Sequence, residues 1–222
     1  MVALINLRDN VTHMKNNMLI LTILLFLNSI KFNHSYATTT AKAKPIVYTI
    51  AGSDSGGGAG IQADMHAIRS FNCHGCSAIT SLTSQNSQGV TNIHTPPSSF
   101  LESQLDTLYV DLPPRAIKIG MLGSMDVTNT VGDFLKKLKN NEGTEKDEEK
   151  PFVVVDPVMI STSGHKLITD NVKESMITNV FPYADLITPN KFEAEELLGR
   201  KLLNFEDVEQ GNIIYNFGLN IF

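Results

Sequence analysis

Residues 51–64 read Ala-Gly-Ser-Asp-Ser-Gly-Gly-Gly-Ala-Gly-Ile-Gln-Ala-Asp, with five glycines in the first ten positions. An apolar run at 46–50 precedes this stretch, and Ile61, Met65 and Ile68 recur at helical spacing from its end onward. The pattern predicts a strand, a glycine loop and a helix in succession. Glycine lets a backbone bend sharply and approach a ligand without interference from a Cβ atom. The stretch therefore predicts a binding loop, and the alternative is a plain flexible turn.

The glycine loop matches neither of the two common nucleotide-binding motifs. It lacks the Gly-Lys-Ser/Thr of a Walker A motif, and its glycines fit Gly-x-Gly-x-x-Gly only loosely. No acidic residue follows at the offset that a dinucleotide-binding fold requires. Asp64 falls one turn into the predicted helix, and we expect its carboxylate to face the mouth of the loop.

Strand and helix patterns alternate along the chain as far as Gly199. This alternation predicts an α/β fold in which a parallel sheet carries helices on both faces. Polar or glycine-bearing loops are expected after four further strands, at 83–87, 120–123, 156–159 and 188–190. Because ligands bind beyond the carboxyl ends of parallel strands, we expect all of these loops to meet at one edge of the sheet.

Local patterns predict where two helices begin. Ser99 with Glu102, and Asn190 with Glu193, have the spacing of a capping box, in which each side chain bonds the other residue's backbone. Gly199 is expected to end the helix that follows Asn190, because glycine readily adopts the left-handed conformation found there.

Composition excludes several classes of protein. With 42% hydrophobic and 18% charged residues among 222, the chain has the composition of a folded protein. Its formal net charge of −5, without a dense basic stretch, argues against a nucleic-acid partner. Cys73 and Cys76 have Cys-x-x-Cys spacing but fall at the end of a predicted helix, so we expect structural thiols. The six histidines show no paired spacing for a metal ion.

Residues 1–44 are expected to form a targeting-like extension outside the fold. The apolar run at 18–27 is shorter than the roughly 20 residues that span a bilayer, so no stable membrane span is expected. Lys15 before this run and Ser35-Tyr36-Ala37 after it fit a signal peptide, while the scarcity of acids fits an organelle transit segment. Residues 1–37 thus predict plastid-like or secretory-route targeting, and the alternatives are a buried helix or a mis-called start codon. Without targeting, the chain is expected in the cytoplasm.

Five motifs follow one another in a fixed order, at 51–64, Gln85-Asn86, 118–122, 156–159 with Ser163-Gly164, and 188–193. This series closely resembles the hydroxymethylpyrimidine/phosphomethylpyrimidine kinases of thiamine biosynthesis, which have the ribokinase-like fold. The resemblance implies a three-layer α/β/α architecture with a mostly parallel sheet. It runs over residues 45–203 and implies a partial kinase domain, truncated at its C-terminal side.

The resemblance implies ATP-dependent phosphorylation of 4-amino-5-hydroxymethyl-2-methylpyrimidine and of its monophosphate. Five positions would line the pyrimidine pocket, namely Gly52, Asp64, Gln85, Met121 and Val158. Three would lie near the phosphates and Mg²⁺, without a direct metal ligand being assigned, namely Asp156, Asn190 and Glu193. A glutamine amide can donate to a ring nitrogen and accept from the exocyclic amine, and a methionine thioether packs softly on a ring face. On spacing alone, Met121 fits a core position equally well.

The chain departs from this family at the segment that performs the transfer. The family uses a late Gly-Thr-Gly-Cys or Gly-Thr-Gly-Asp segment as an anion hole, and Gly211 and Gly218 are the only glycines after Gly199. Neither of them has that context, so no catalytic residue is assigned. Residues 204–222, which carry no charge after Gln210, are expected to be an atypical tail.

Three functions stay open at this point. The first is a pyrimidine kinase, deficient as this isolated chain because the transfer segment is absent. The second is a pyridoxal-type kinase, although Gln85 together with Met121 favours the pyrimidine. The third is a non-catalytic product that binds ligand weakly or misfolds. The resemblance also leaves open a homo-oligomer and, in full-length relatives, a fusion to a thiamine phosphate synthase.

Overall fold

The computed structural model describes residues 43–140, 150–159, 167–203 and 220–221. The chain divides into two units, Met1–Ala43 and Lys44–Phe222. The expected targeting segment, 1–37, lies outside the described residues, and the expected tail, 204–222, is described only at 220–221. Within the described ranges, no helix is both long enough and apolar enough to cross a membrane.

A seven-stranded sheet forms the middle layer of the second unit, in the order β3-β2-β1-β4-β5-β6-β7. The strands are β1 (Ile46–Asp54), β2 (His74–Asn86), β3 (Gly89–His94), β4 (Ala116–Ile119), β5 (Phe152–Val155), β6 (Leu186–Ile187) and β7 (Asn220–Ile221). Every neighbouring pair is parallel except β2 and β3, which are antiparallel. The predicted α/β class with a mostly parallel sheet is confirmed.

Five helical segments connect the described strands. They are α1 (Gly60–Ser70), α2 (Ser98–Asp111), α3 (Met125–Lys139), α4 (Asp170–Ser175) and α5 (Lys191–Leu198). α4 continues through a π-helical turn at Met176–Val180 and a 3₁₀ turn at Phe181–Tyr183. Gly199 ends α5 with φ of 65°, as predicted, because this left-handed conformation costs glycine little.

The side chains of β1 alternate between the two faces of the sheet. Tyr48 and Ile50 are fully buried in the main apolar cluster, together with residues of α2, α3 and α4 such as Leu105. Thr49, between them, faces the other way and donates a hydrogen bond to Asp64 of α1. Helices therefore cover both faces, and the predicted three-layer α/β/α architecture is confirmed.

Two local expectations are wrong. Residues 83–86 belong to β2 rather than to a loop, because β3 returns alongside them and pairs Thr83 with Ile93 and Asn86 with Gly89. The capping box at Ser99 also does not form, since α2 begins at Ser98 with Pro97 as its N-cap and without a side-chain cap. The carbonyl of Pro97 instead accepts from the backbone N–H of Phe100 at 2.9 Å.

The order of the strands creates a crevice between β1 and β4. From β1 the chain crosses to β2 on one side, and after β3 and α2 it returns to β4 on the other side of β1. The loops that leave the carboxyl ends of β1 and β4 therefore diverge. Such a switch point is the usual place for a ligand in an open parallel sheet.

Candidate functional site

Backbone hydrogen bonds bring three of the predicted loops side by side at the carboxyl edge of the sheet. The N–H of Gly120 donates to Ile50 at 3.0 Å, that of Asp156 to Ile119 at 2.8 Å, and that of Thr188 to Val155 at 2.9 Å. Each bond extends a strand ladder into the loop that follows the strand. The predicted convergence of the loops after β4, β5 and β6 is thus observed.

The glycine loop that leaves β1 is organised around the carboxylate of Asp54. Its Oδ1 accepts from the N–H of Gly56 at 2.8 Å, and its Oδ2 accepts from Gly58 at 3.0 Å and Ala59 at 2.9 Å. Asp54 is buried, so these bonds are shielded from water. The loop is therefore a preformed structure, and these three amides are not available to bind a phosphate.

Sequence reasoning assigned no role to Asp54. Its position directly before a glycine run is the available signal, because aspartate readily accepts bonds from backbone groups two or more residues onward. Gly60 closes the loop at φ of 57°, and a Cβ there would collide with the carbonyl oxygen of Gly52. The loop needs glycine at position 60 for both conformation and space.

Asp64 is the most deeply buried acidic residue of the predicted site, with 2% of its surface exposed. Its Oδ2 accepts from the Thr49 hydroxyl at 2.6 Å and from the Lys118 ammonium at 3.0 Å. Its Oδ1 has no hydrogen-bond partner among the described residues. A buried carboxylate oxygen that lacks a donor is unfavourable, and a ligand N–H can supply one.

Lys118 joins Asp64 to the next loop along the sheet edge. Its ammonium lies 4.0 Å from Oδ2 of Asp156, whose side chain is about one third exposed. Burial alone would lower the pKa of Lys118, but the charges of Asp64 and Asp156 raise the pKa above its ordinary value. Sequence reasoning assigned Lys118 no role, although a lysine inside the buried strand Ala116–Ile119 is a signal in itself.

Gly52, Ser81 and Met121 come together where β1, β2 and the loop after β4 meet. A Cβ at Gly52 would lie 2.8 Å from the Ser81 hydroxyl and 3.5 Å from the Met121 sulfur. Met121 is buried but lies outside the main apolar cluster, and its carbonyl accepts from Thr80 at 2.6 Å. The structure thus brings Met121 to Gly52 rather than into the main core.

Gln85 lies at the outer end of β2, beside the glycine loop. Its N–H donates to the Ser55 hydroxyl and its carbonyl accepts from the same hydroxyl, both at 2.8 Å. The Thr83 hydroxyl lies 3.1 Å from the side-chain oxygen of Gln85. These contacts hold the half-buried Gln85 at the loop. Val158 is half-buried two residues after Asp156, and its place in a pocket stays a prediction.

Asn190 and Glu193 form the predicted capping box at the start of α5. Oδ1 of Asn190 accepts from the N–H groups of Phe192 at 2.9 Å and Glu193 at 3.0 Å. Oε2 of Glu193 accepts from the N–H of Asn190 at 2.8 Å. The capping interpretation is confirmed, and the role of this pair near phosphates stays a prediction.

The carboxylates at this edge of the sheet suit a magnesium ion that is held partly by the protein and partly by phosphate oxygens and water. Among the described ranges, no three His, Cys, Asp or Glu side chains are grouped so as to hold a metal ion. Asp156 offers a partly exposed carboxylate at the edge. Mg²⁺ commonly binds one or two carboxylates and completes its coordination with phosphate oxygens and water. Asp156 fits that kind of site.

The two cysteines lie apart from these contacts. Cys73 and Cys76 are both buried and both free. Burial raises the pKa of both thiols, and for Cys73 the charge of Lys44 opposes that effect. Protonated, buried thiols are poor nucleophiles, as a structural role requires.

Comparisons with known proteins identify the family that the sequence motifs resemble. Residues 54–217 match the family model described as phosphomethylpyrimidine kinase. The hydroxymethylpyrimidine/phosphomethylpyrimidine kinase of Staphylococcus aureus (strain MRSA252) is 36% identical over 170 residues, which are 77% of this chain and 58% of the relative. A rice protein named "Probable thiamine biosynthetic bifunctional enzyme, chloroplastic" is 37% identical over 193 residues, 85% of this chain and 33% of the relative.

Solved structures share the fold. A crystal structure of phosphomethylpyrimidine kinase from Clostridium difficile 630 superposes with a TM-score of 0.70 at 38% identity, covering 80% of this chain and 74% of that one. The pyridoxal kinase of Staphylococcus aureus in complex with AMP-PCP and pyridoxal gives 0.65 at 31% identity, covering 81% and 62%. The chain spans less than two thirds of either curated relative above. It has the ribokinase-like fold, and it belongs to the phosphomethylpyrimidine kinase family.

Proposed function

We propose that this chain carries the pyrimidine-binding part of a kinase that uses ATP to phosphorylate 4-amino-5-hydroxymethyl-2-methylpyrimidine and its monophosphate. The observation that carries the proposal is the buried Asp64 carboxylate, whose Oδ2 is bonded twice while Oδ1 lacks a donor among the described residues. An exocyclic amine is a neutral N–H donor of the kind that this oxygen needs.

The other predicted pocket residues complement such a ring. Met121 offers a thioether, and the absence of a Cβ at Gly52 lets the Gly52 backbone lie close to Ser81 and Met121. Ser55 bonds the backbone of Gln85, and the Thr83 hydroxyl contacts the side-chain oxygen. The side-chain amide of Gln85 can pair with a ring nitrogen and an amine together. Val158 belongs to this proposal as an apolar contact from the loop after β5.

Asp156, Asn190 and Glu193 would serve the phosphate side. Asp156 would hold Mg²⁺ together with phosphate oxygens, and the ion when bound would neutralise charge on the transferring phosphate. Asn190 and Glu193 fix the start of α5 beside the loop after β5, because β5 and β6 are neighbours. The proposal that this kinase uses ATP is supported by the S. aureus pyridoxal kinase, which shares the fold and was solved in complex with AMP-PCP.

The 222 residues do not include the Gly-Thr-Gly-Cys or Gly-Thr-Gly-Asp segment. Phosphoryl transfer depends on positioning and on stabilising charge as it develops. We therefore expect the isolated chain to bind the pyrimidine and to transfer phosphate far more slowly than an ordinary kinase, whose kcat is about 1–100 s⁻¹.

A binding titration and a coupled kinase assay together test this proposal. The full chain is titrated with the hydroxymethylpyrimidine without ATP, and is then assayed with ATP and Mg²⁺. Saturable binding that Asp64→Asn weakens about tenfold or more supports the proposal. Asp133→Asn, a change at an exposed carboxylate on α3, is the matched control. Absence of binding would overturn the proposal, and an ordinary kcat would overturn the expectation of slow transfer.

Pyridoxal is the second candidate ligand, because structures of pyridoxal kinases share this fold. It carries a hydroxymethyl group but lacks an exocyclic amine on its ring. Oδ1 of Asp64 therefore favours the aminopyrimidine. Titration with both compounds on the same protein ranks them, and tighter binding of pyridoxal would reverse the assignment. A chain that binds either ligand without turnover would be the non-catalytic binding product.

We also propose that residues 1–37 direct the chain to a plastid. The chloroplastic name of the rice relative supports the choice of plastid over the secretory route. Expression of residues 1–44 fused to a fluorescent protein tests this, and a signal in the secretory pathway or the cytosol would contradict it.

A further inference from the structure

We infer that Lys118 is a positioning residue that selects an amine-bearing ring, because it holds the Asp64 carboxylate in the orientation that leaves Oδ1 for the ligand. This inference rests on the proposed function. It concerns a residue that makes no proposed contact with the substrate and acts through its partner.

The geometry of the Asp64 carboxylate carries the first step. Thr49 and Lys118 both donate to Oδ2, at 2.6 Å and 3.0 Å. Two donors from different strands fix both the position of that oxygen and the rotation of the carboxylate. Oδ1 is consequently presented in one direction, without a partner among the described residues.

The charge of Lys118 carries the second step. The ammonium of Lys118 lies 3.0 Å from Oδ2 of Asp64 and 4.0 Å from Oδ2 of Asp156. Without this cation, the carboxylates of Asp64 and Asp156 would be neighbours with no positive charge from Lys118 to offset their repulsion, which is unfavourable. The ammonium donates to Oδ2 of Asp64 and so leaves Oδ1 as the acceptor for a ligand. An acceptor favours a ring amine over a ring carbonyl at the same position.

Gly120 provides the third step, since it makes room for the ammonium. A Cβ at Gly120 would lie 2.9 Å from Nζ of Lys118 and 3.1 Å from the Cβ of Ala51. The ammonium is the end of a flexible side chain, so a methyl group at this position would displace it rather than unfold the strand. Gly120→Ala is therefore a way to move the charge while keeping Lys118 itself.

The test compares two ligands that differ at position 4 of the ring and in the protonation of a neighbouring ring nitrogen. The amine is 4-amino-5-hydroxymethyl-2-methylpyrimidine, and the analogue carries a carbonyl in place of its 4-amino group. The full chain, Lys118→Met, Lys118→Arg and Gly120→Ala are titrated with both by calorimetry. Lys137→Met, a lysine change on the exposed side of α3, is the control.

The ratio of the two dissociation constants is the readout. We expect the wild type, Lys118→Arg and Lys137→Met to favour the amine, and the ratio to fall about tenfold or more in Lys118→Met and Gly120→Ala. A residue that only supports the fold would weaken both ligands equally and leave the ratio unchanged. An unchanged ratio in folded Lys118→Met or, should that variant fail to fold, in Gly120→Ala overturns the inference.

The outcomes separate the two proposals. A wild-type chain that binds the amine while the variants keep its preference overturns the role of Lys118 and leaves the proposed function standing. A wild-type chain that binds neither ligand overturns the proposed function and this inference together.

Discussion

Oδ2 of Asp64 accepts a hydrogen bond from the ammonium of Lys118 at 3.0 Å, although the two residues are 54 positions apart in the sequence. The contact joins the first helix to the strand on the other side of the switch point. It places a charged pair at the base of the crevice between β1 and β4, where the fold itself favours a ligand.

Asp64→Asn is expected to destabilise the fold. The change leaves the Lys118 ammonium largely buried, with the more distant Asp156 as its remaining negative partner among the described residues. Removing one partner of a buried ion pair lowers the free energy of unfolding by about 3 kcal/mol or more. Urea denaturation of the full chain measures the loss. The exposed change Asp133→Asn should stay within about 0.5 kcal/mol of wild type, and an equally small loss for Asp64→Asn would contradict the account.

The contribution of Lys118 to stability should disappear only in strong alkali. Asp64 and Asp156, which face the ammonium from α1 and from the loop after β5, raise the pKa of Lys118 above its ordinary 10.5 despite its burial. A pKa raised on folding adds stability that is fully present below the unfolded value and is lost as pH rises through the folded value. The difference in unfolding free energy between wild type and Lys118→Met should therefore be constant from neutral pH to about 9.5 and shrink above 10.5. A difference that shrinks between pH 7 and 9 would show that the pKa is lowered instead.

Gly60→Ala should be much more damaging than Gly57→Ala. Both glycines have positive φ, 57° and 76°, so each substitution carries a conformational cost of about 1–2 kcal/mol. Only at Gly60 would the new methyl group also collide with the backbone of β1, whereas nothing lies within 4 Å of a Cβ at Gly57. Thermal unfolding measures both variants, and the difference between their losses of stability reports the cost of the collision at Gly60. Equal losses would mean that the loop moves to accommodate the methyl group at Gly60.

Asp54→Ala should loosen the glycine loop without unfolding the sheet. The change removes the acceptors of three amides, those of Gly56, Gly58 and Ala59. Amide hydrogen exchange should accelerate at these three positions while amides of β4 keep their protection. Protection that persists in the loop would show that Asp54 does not organise it.

Some local features of this fold could be read from the sequence, whereas the pairing of β2 with β3 could not. The capping box of Asn190 and Glu193 and the end of α5 at Gly199 depend on neighbouring residues, and both are observed. Residues 83–86 read as a loop because they are polar, yet they form a strand since β3 supplies their partners.

The candidate site shows the same division. The loops after β4, β5 and β6 meet at one edge of the sheet, because a parallel α/β pattern places the loops after its strands there. The contacts that hold Asp64 could not be predicted. Thr49 and Lys118, which donate to it, and Asp156, which pairs with Lys118, come from three separate strands or their ends. In the sequence, the one indication of these contacts was a lysine within an apolar four-residue strand.

The central claim is that a buried carboxylate on α1 recognises the amine of a pyrimidine. Calorimetric titration of the full chain with 4-amino-5-hydroxymethyl-2-methylpyrimidine, in the absence of ATP, tests it most directly. The account predicts one saturable site whose affinity falls about tenfold or more in folded Asp64→Asn and is unchanged in Asp133→Asn. Equal affinity in wild type and Asp64→Asn, or no binding by wild type, would contradict it.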